Sequence, residues 1–139
     1  MALELTFAIV KPDAVKGGHV GEIVTTIEQS GLVIRGLKRV RLTPALCKGF
    51  YHEHVGKGFY GELETFMTEG PVALMVLEGE NAILRWRDLM GATNPANAAE
   101  GTLRKRFGAN IGRNATHGSD KPESAKFEVG YFFNAFEQF

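Results

Sequence analysis

The sequence contains one cysteine and has no excess of charge of either sign. Cys47 is the only cysteine among the 139 residues, which excludes an internal disulfide and a metal cluster held by several thiolates. The 16 basic residues are balanced by 16 acidic residues, so no overall charge attracts the chain to nucleic acid or to a membrane surface. The scarcity of cysteine favours a reducing compartment.

Long apolar segments are also missing. No apolar run approaches the roughly 20 residues of a membrane-spanning helix, and residues 1–5 are not a basic segment followed by an apolar run. The sequence therefore predicts neither a membrane span nor a signal peptide, and we expect a cytoplasmic protein. The length and a hydrophobic content of 44% suit one domain over residues 1–139 with a substantial core.

Several familiar catalytic and binding motifs are absent or incomplete. The chain has neither the G-x-x-x-x-G-K-[ST] loop of P-loop kinases nor the G-x-G-x-x-G turn of dinucleotide-binding folds. His52 and His54 lie in a predicted helix, where they would point to different faces and form a poor zinc pair. His117, Ser119 and Asp120 are too close in sequence to converge easily as a hydrolase triad.

Hydrophobic periodicity predicts alternating strands and helices. Strands are expected over residues 3–10, 32–42, 72–77 and 127–133, and helices over residues 20–27, 43–56, 59–67, 80–90 and 101–107. This order, β-α-β-α-α-β-α-α-β, reduces to a β-α-β-β-α-β plan with an added helical hairpin. We therefore expect an α/β protein of the α+β kind, with a ferredoxin-like four-stranded antiparallel sheet and helices on it. The second strand should have one solvated, basic face, formed by Arg35, Lys38, Arg39 and Arg41.

Residues 108–123 form a long segment that has almost no helical or strand period. Connections of this length are usually functional or disordered. The segment holds Asn114, His117, Ser119 and Asp120 within seven residues, which brings an amide, an imidazole, a hydroxyl and a carboxylate together. The same residue types also form turns. On residue types alone, a polar turn and an active site are equally expected here.

Seven short motifs follow one another along the chain. They are Lys11-Pro12-Asp13, Tyr51-x-Glu53-His54, Phe59-Tyr60-x-x-Leu63, Phe66-Met67-x-x-Gly70-Pro71-Val72, Gly91-x-Thr93-x-Pro95, Gly101-Thr102-Leu103-Arg104-x-x-Phe107-Gly108 and Asn114-x-x-His117-Gly118-Ser119-Asp120. In residues and in order, this series resembles the nucleoside diphosphate kinase family, and the resemblance covers nearly the whole chain.

The resemblance implies an enzyme that moves the γ-phosphate of a nucleoside triphosphate to a nucleoside diphosphate in two steps. His117 would be the nucleophile that carries the phosphate as phosphohistidine. Glu128 would hydrogen-bond the far imidazole nitrogen, and Ser119 would support Glu128. The nucleotide would be bound by Lys11, Tyr51 and Asn114 along the phosphates and ribose, by Arg87, Thr93 and Arg104 on the outer phosphates, by Phe59 on the base, and by Leu63 in the same site.

The resemblance also implies cofactors and partners. Mg²⁺ would arrive with the nucleotide and need no direct protein ligand, and the substrates would be ATP, GTP, ADP, GDP and their deoxy forms. Family members form tetramers or hexamers, so we expect a homo-oligomer. The chain departs from the family pattern at three positions. Gly58 stands where proline is frequent, and Ala115 and Thr116 stand where larger apolar residues are frequent.

The chemistry of the residues agrees with this interpretation. Imidazole is a good nucleophile near neutral pH because its reference pKa is about 6.5, and a covalent intermediate divides a two-substrate transfer into simpler steps. A lone glutamate facing a core, as Glu128 would be on the predicted last strand, is costly unless it is paired. Two other classes stay open from the sequence. One is a ferredoxin-like binding module that uses a basic sheet, and the other is an interaction protein that has lost its chemistry.

Overall fold

A four-stranded antiparallel sheet organises the chain. The computed structural model describes residues 3–139, so Met1 and Ala2 of the predicted domain and N-terminus lie outside it. The strands are β1 (Leu3–Val10), β2 (Val33–Val40), β3 (Val72–Glu80) and β4 (Thr116–Gly118), in the order β2-β3-β1-β4. Each pairing is antiparallel. The predicted ferredoxin-like sheet of four strands is therefore confirmed.

Within residues 3–139, seven α-helices pack on the two faces of this sheet. They are α1 (Pro12–Lys16), α2 (Val20–Gln29), α3 (Pro44–Phe50), α4 (Tyr60–Thr68), α5 (Ala82–Met90), α6 (Leu103–Phe107) and α7 (Pro122–Phe132), with short 3₁₀ turns at Pro95–Asn97 and Ala135–Glu137. None of the helices in residues 3–139 is long and apolar enough to cross a bilayer. The hairpin of α3 and α4 between β2 and β3 is the predicted addition to the ferredoxin-like plan.

Alternation along β1 divides the buried side chains into two cores. Phe7 and Ile9 point to the face covered by residues of α3, α4 and α7, whereas Ala8 and Val10 point to the face covered by residues of α2 and α5. All four side chains are fully buried. The central strands β1 and β3 therefore have helices on both faces, which explains why their sequences are continuously apolar.

The predicted strand over residues 127–133 is wrong, because this segment belongs to helix α7. Pro122 occupies the first helical position, where its fixed φ is compatible with a helix. Ala125 and Val129, four residues apart, are buried against the sheet, whereas Phe127 is half exposed. The apolar residues of α7 thus satisfy helical spacing as well as alternation, and helical packing is the arrangement adopted.

The fourth strand lies instead within the segment that was predicted to have no regular structure. Strand β4 has three residues and pairs with β1, with His117 opposite Ile9. A three-residue strand cannot generate a recognisable alternation. Its position is determined by hydrogen bonds to β1, and these place His117 at the edge of a rigid sheet.

The predicted basic face of β2 is confirmed only in part, since Arg39 and Arg41 are exposed but apolar side chains interrupt the face. A bulge between Ile34 and Gly36 shifts the alternation, and the side chains of Val33 and Leu37 are about half exposed. Arg35 forms an ion pair with Glu78, and Lys38 pairs with Glu137 of the C-terminal turn. The chain therefore has no continuous basic strand face in its described part, which removes the feature that favoured a nucleic-acid-binding module.

One predicted helix is shorter than expected. The helix expected over residues 43–56 ends at Phe50, so His52 and His54 lie in a turn and not on a helix. Thr43 is the N-cap of this helix, because its Oγ accepts a hydrogen bond from the backbone N–H of Leu46. The short helix α1 begins directly after Lys11, with Pro12 at its first position.

Candidate active site

The backbone of His117 is fixed by close packing beneath β4. The indole N–H of Trp86 donates a hydrogen bond of 3.1 Å to the carbonyl oxygen of His117. A Cβ atom on Gly118 would lie 2.6 Å from Cε of Met90 and from the Trp86 ring, which is too close for any side chain. Glycine after His117 is therefore required by the packing of α5 against β4.

The imidazole of His117 contacts a carboxylate on α7. Its Nε2 lies 2.8 Å from Oε1 of Glu128, and the buried hydroxyl of Ser119 donates to the same oxygen at 2.9 Å. Because an ionised carboxylate only accepts hydrogen bonds, Nε2 is the nitrogen that carries the proton. The lone pair of the neutral imidazole then resides on Nδ1, which is the arrangement that a nucleophilic histidine needs.

Three aromatic side chains surround the imidazole and limit its rotation. The ring centroids of Phe7, Phe50 and Tyr51 lie 6.2, 5.6 and 6.5 Å from that of His117, all with edge-on geometry. Part of the His117 side chain stays accessible, with an exposed fraction of 20%. The imidazole is thus held in one orientation and still open to a ligand.

A buried chain of hydrogen bonds extends from Lys11 toward the turn after α5. Nζ of Lys11 donates to Oδ1 of Asn114 at 2.8 Å, and Nδ2 of Asn114 donates to the carbonyl oxygen of Thr93 at 3.0 Å. Burial and the positive charge of Arg104 lower the pKa of Lys11 to about 8, and Asp13 opposes this shift. A buried lysine without an ion pair is a favourable place for an anion.

Arg104 is a second buried cation. Its guanidinium donates to the carbonyl oxygens of Gly91 and Thr116 at 3.1 and 3.0 Å, which ties α6 to the start of β4. Burial, and then the nearby charge of Arg87, lower the pKa of Arg104 to about 10. The backbone uses one N–H from each terminal nitrogen, and Nε is buried without a hydrogen-bond partner.

The largest cavity described brings most of the predicted nucleotide-binding residues together. It has a volume of about 1020 Å³, and its lining includes Lys11, Tyr51, Phe59, Leu63, Thr93 and His117. Arg87 does not line it but lies with Thr93 in an adjoining cavity of about 390 Å³. A third cavity of about 310 Å³ lies beside His117 and Glu128. Arg104 and Asn114 are buried and are not among the lining residues of these three cavities.

The large cavity also has lining residues that were not assigned from the sequence, and three of them have contacts that bear on the site. Ile111 is an apolar side chain with an exposed fraction of 63% in the loop before Asn114. Arg113 holds that loop through an ion pair with Glu69. The ring of His54 lies 5.4 Å from that of Phe59, and its Nδ1 is buried without a hydrogen-bond partner. Ile111 had a possible signal, since an isolated isoleucine in a polar loop is unusual.

Comparison with known proteins gives a consistent result. The family model for nucleoside diphosphate kinase matches residues 4–138. A nucleoside diphosphate kinase from Syntrophotalea carbinolica is 56% identical over 131 residues, which cover 94% of this chain and 96% of that protein. One from Oleidesulfovibrio alaskensis is 54% identical over 96% of both chains.

Solved structures of the same kind superpose closely. The nucleoside diphosphate kinase of Aquifex aeolicus has a TM-score of 0.97 at 42% identity, covering 99% of this chain and all of the other. That of Halobacterium salinarum, solved in complex with CDP, has a TM-score of 0.95 at 41% identity, covering 99% of this chain and 92% of the other.

Proposed function

Because the chain belongs to the nucleoside diphosphate kinase family, we propose that His117 carries the phosphoryl group between a nucleoside triphosphate donor and a nucleoside diphosphate acceptor. The chain is a phosphotransferase of this kind. The observation that carries the residue assignment is the His117–Glu128 contact of 2.8 Å, which directs the free lone pair of Nδ1 away from the carboxylate.

The first half-reaction forms a bond between Nδ1 and the γ-phosphorus. The bond from that phosphorus to the bridging oxygen breaks, and the nucleoside diphosphate leaves with the electron pair. Glu128 holds the proton on Nε2 and offsets the positive charge that the ring acquires. The second half-reaction reverses these steps with a different diphosphate, so one imidazole serves both substrates in turn.

Phosphoryl transfer needs positioning and charge neutralisation more than covalent help from the protein. We assign the neutralisation to Lys11 and Arg104, which are both buried and have no carboxylate ion-pair partner among the described residues. Arg87 is exposed on α5 and lines the adjoining cavity, which supports its assignment to an outer phosphate. Thr93, which lines both cavities, is assigned to the same end of the nucleotide.

The base and ribose are assigned to the open part of the large cavity. Phe59 and Ile111 are both more than half exposed and line this space, and exposed apolar side chains in a cavity favour a flat apolar ligand. Leu63, Tyr51 and His117 line the same cavity. We assign Asn114 to the ribose and phosphates, because it is already fixed by Lys11 and Thr93.

Magnesium fits this site as a partner of the nucleotide. Among residues 3–139 there is no group of three His, Cys, Asp or Glu side chains placed to hold a metal ion, and Glu62 is the one carboxylate that lines the large cavity. Mg²⁺ is commonly bound through substrate phosphates, where it reduces their negative charge. We therefore propose that Mg²⁺ enters with the nucleotide. Homo-oligomeric assembly and cytoplasmic location stay predictions from the sequence.

The proposed assignment is tested by an assay in which ATP and GDP are converted to ADP and GTP. The wild-type chain should catalyse this exchange, and His117→Gln should lose nearly all turnover while its circular dichroism spectrum is unchanged. His52→Gln is a matched control, since that imidazole lines the neighbouring cavity and not the large one. Equal loss of turnover in both variants would contradict the assignment to His117.

A further inference from the structure

Ala115 has an unusual backbone conformation two residues before His117. Its φ is +73°, and only Asn81 shares a positive φ among the non-glycine residues from 3 to 139. An alanine in this region costs about 1–2 kcal/mol. Such a conformation persists only when the surrounding structure determines it. Ala115 is fully buried, so its polar backbone groups must also find partners inside the protein.

Both backbone groups of Ala115 are bound by the segment that follows β1. Its N–H donates to Oδ2 of Asp13 at 3.1 Å, and its carbonyl oxygen accepts from the N–H of Lys11 at 2.8 Å. The side chain of Lys11 adds the bond to Asn114 already described. Three hydrogen bonds therefore join residues 11–13 to residues 114–115, and the Asp13 carboxylate supplies one of them.

Asp13 also has a possible role that would be purely local. It lies in the first turn of α1, where an acidic side chain interacts favourably with a helix N-terminus. However, α1 has five residues, and the bond that Asp13 makes goes to a residue 102 positions away. Its other oxygen, Oδ1, is buried without a hydrogen-bond partner, which is a cost that a surface helix cap would not incur.

We propose that Asp13 is a positioning residue for phosphoryl transfer. Its carboxylate holds Ala115 in the left-handed conformation, and this sets the direction in which Asn114 and His117 face the nucleotide. If Ala115 relaxed to a negative φ, the chain direction would change between these two side chains. The inference rests on the proposed function of His117 and adds a residue that touches neither the substrate nor the reacting atoms.

Two conservative substitutions separate the geometry of Asp13 from its charge. Asp13→Asn keeps an oxygen at the position that accepts from Ala115 and removes the charge. Asp13→Glu keeps the charge and the acidic first turn of α1, but it displaces the carboxylate by one methylene. We expect the rate of His117 phosphorylation at saturating ATP to fall less than about tenfold in Asp13→Asn and by about a hundredfold in Asp13→Glu, the scale of a 1 Å misplacement.

A rescue experiment tests the role of the backbone directly. Glycine adopts positive φ without strain. Adding Ala115→Gly to Asp13→Ala should therefore raise the phosphorylation rate at least about tenfold above that of Asp13→Ala alone. Ala115→Gly alone should stay near the wild-type rate. Thermal unfolding of each variant is measured alongside, and rescue of the rate without recovery of Tm would exclude a purely structural explanation.

The outcomes distinguish this inference from the proposed function. Rates are measured by rapid quenching of the protein with [γ-³²P]ATP. If the wild-type chain takes no label, the proposed function fails. If the wild type is labelled and Asp13→Glu is labelled equally fast, or if Asp13→Asn is slower than Asp13→Glu, the positioning role is wrong and His117 chemistry stands. The Asn and Glu variants decide the matter even if Asp13→Ala does not fold.

Discussion

Nε2 of His117 lies 2.8 Å from Oε1 of Glu128, although the two residues belong to different elements, the edge strand β4 and the helix α7. Ser119 joins the pair through a bond of 2.9 Å to the same oxygen. The exposed fractions of the His117 and Glu128 side chains are 20% and 14%, so the contact is largely shielded from water. This shielding makes the contact stronger than an exposed pair would be.

The first prediction concerns the charge on Glu128. Glu128→Gln keeps a hydrogen-bond acceptor near Nε2 and removes the negative charge that stabilises the phosphorylated ring. We expect kcat to fall by at least about a hundredfold, the lower range for a positioned acid–base group. Ser119→Ala removes one bond to a charged acceptor, worth about 1.5–3 kcal/mol, and should cost less. Steady-state kcat measures both, and a larger loss in Ser119→Ala would contradict this ranking.

The second prediction is a pH dependence that originates at Lys11. Its pKa is lowered to about 8, so the side chain is protonated below this pH and loses its charge above it. A neutral lysine attracts phosphate less strongly, and kcat/KM for ATP should therefore decline as pH rises through about 8.

A charge that does not titrate provides the control for Lys11. Arginine stays protonated across this range, so Lys11→Arg should lower activity through altered geometry and should lack the decline near pH 8. Profiles of kcat/KM against pH for both proteins provide the test. A wild-type decline that begins only near the ordinary lysine pKa of 10.5 would show that Lys11 is not its source.

The third prediction compares two arginines of α6. Arg104→Ala should lower kcat/KM by about 10²–10³, as removal of a transition-state donor does, and it should also destabilise the fold by about 1–3 kcal/mol because two buried carbonyls lose a partner. Arg106 is exposed and paired with Glu22, so Arg106→Ala should change stability by about 1 kcal/mol or less. Kinetics and urea unfolding separate them, and similar behaviour would mean that Arg104 is misassigned.

The fourth prediction is indifference to the base. Stacking on an aromatic face tolerates every base, so ADP, GDP, CDP and UDP should react at rates within about tenfold of one another. Phe59→Ala should weaken binding of all four by a comparable factor, about 1–3 kcal/mol. Phe136→Ala is the control, because Phe136 is exposed and does not line the cavity. Strict use of one base would contradict stacking as the mode of recognition.

Much of the fold was predictable, because β1 and β3 are continuous apolar runs and α5 has apolar residues at helical spacing, and burial of these side chains stabilises the same elements. Two features were not predictable in this way. The fourth strand is β4, and most of the segment expected to be that strand belongs to helix α7. The alternation of Phe127, Val129, Tyr131 and Phe133 is compatible with either element, and only packing against β1 selects the helix. The three residues of β4 carry no periodic signal, since hydrogen bonds to β1 define them.

The sequence indicated which residues belong to the candidate site. It did not indicate the contacts between them. The motifs identified His117 and Lys11, but no pattern in the sequence indicates that Asp13 binds the backbone of Ala115. Nor does any pattern in the sequence indicate that the guanidinium of Arg104 donates hydrogen bonds to two backbone carbonyl oxygens. Such contacts join residues far apart in the chain through single hydrogen bonds, and these produce no periodic pattern in the sequence. Ile111 belongs to the same class, because only the fold of its loop brings it to the large cavity that Phe59 also lines.

The central claim is that His117 carries the phosphoryl group, and one labelling experiment tests it most directly. The protein is mixed with [γ-³²P]ATP without an acceptor, freed of nucleotide, and divided between acid and base. A phosphohistidine is lost in acid and survives base, whereas phosphoserine does the reverse, so the same sample separates His117 from Ser119. Label should stay on the wild type, leave as nucleoside triphosphate when any diphosphate is added, persist in Ser119→Ala and be absent from His117→Gln. Labelling of His117→Gln, or a label that survives acid, would contradict the assignment.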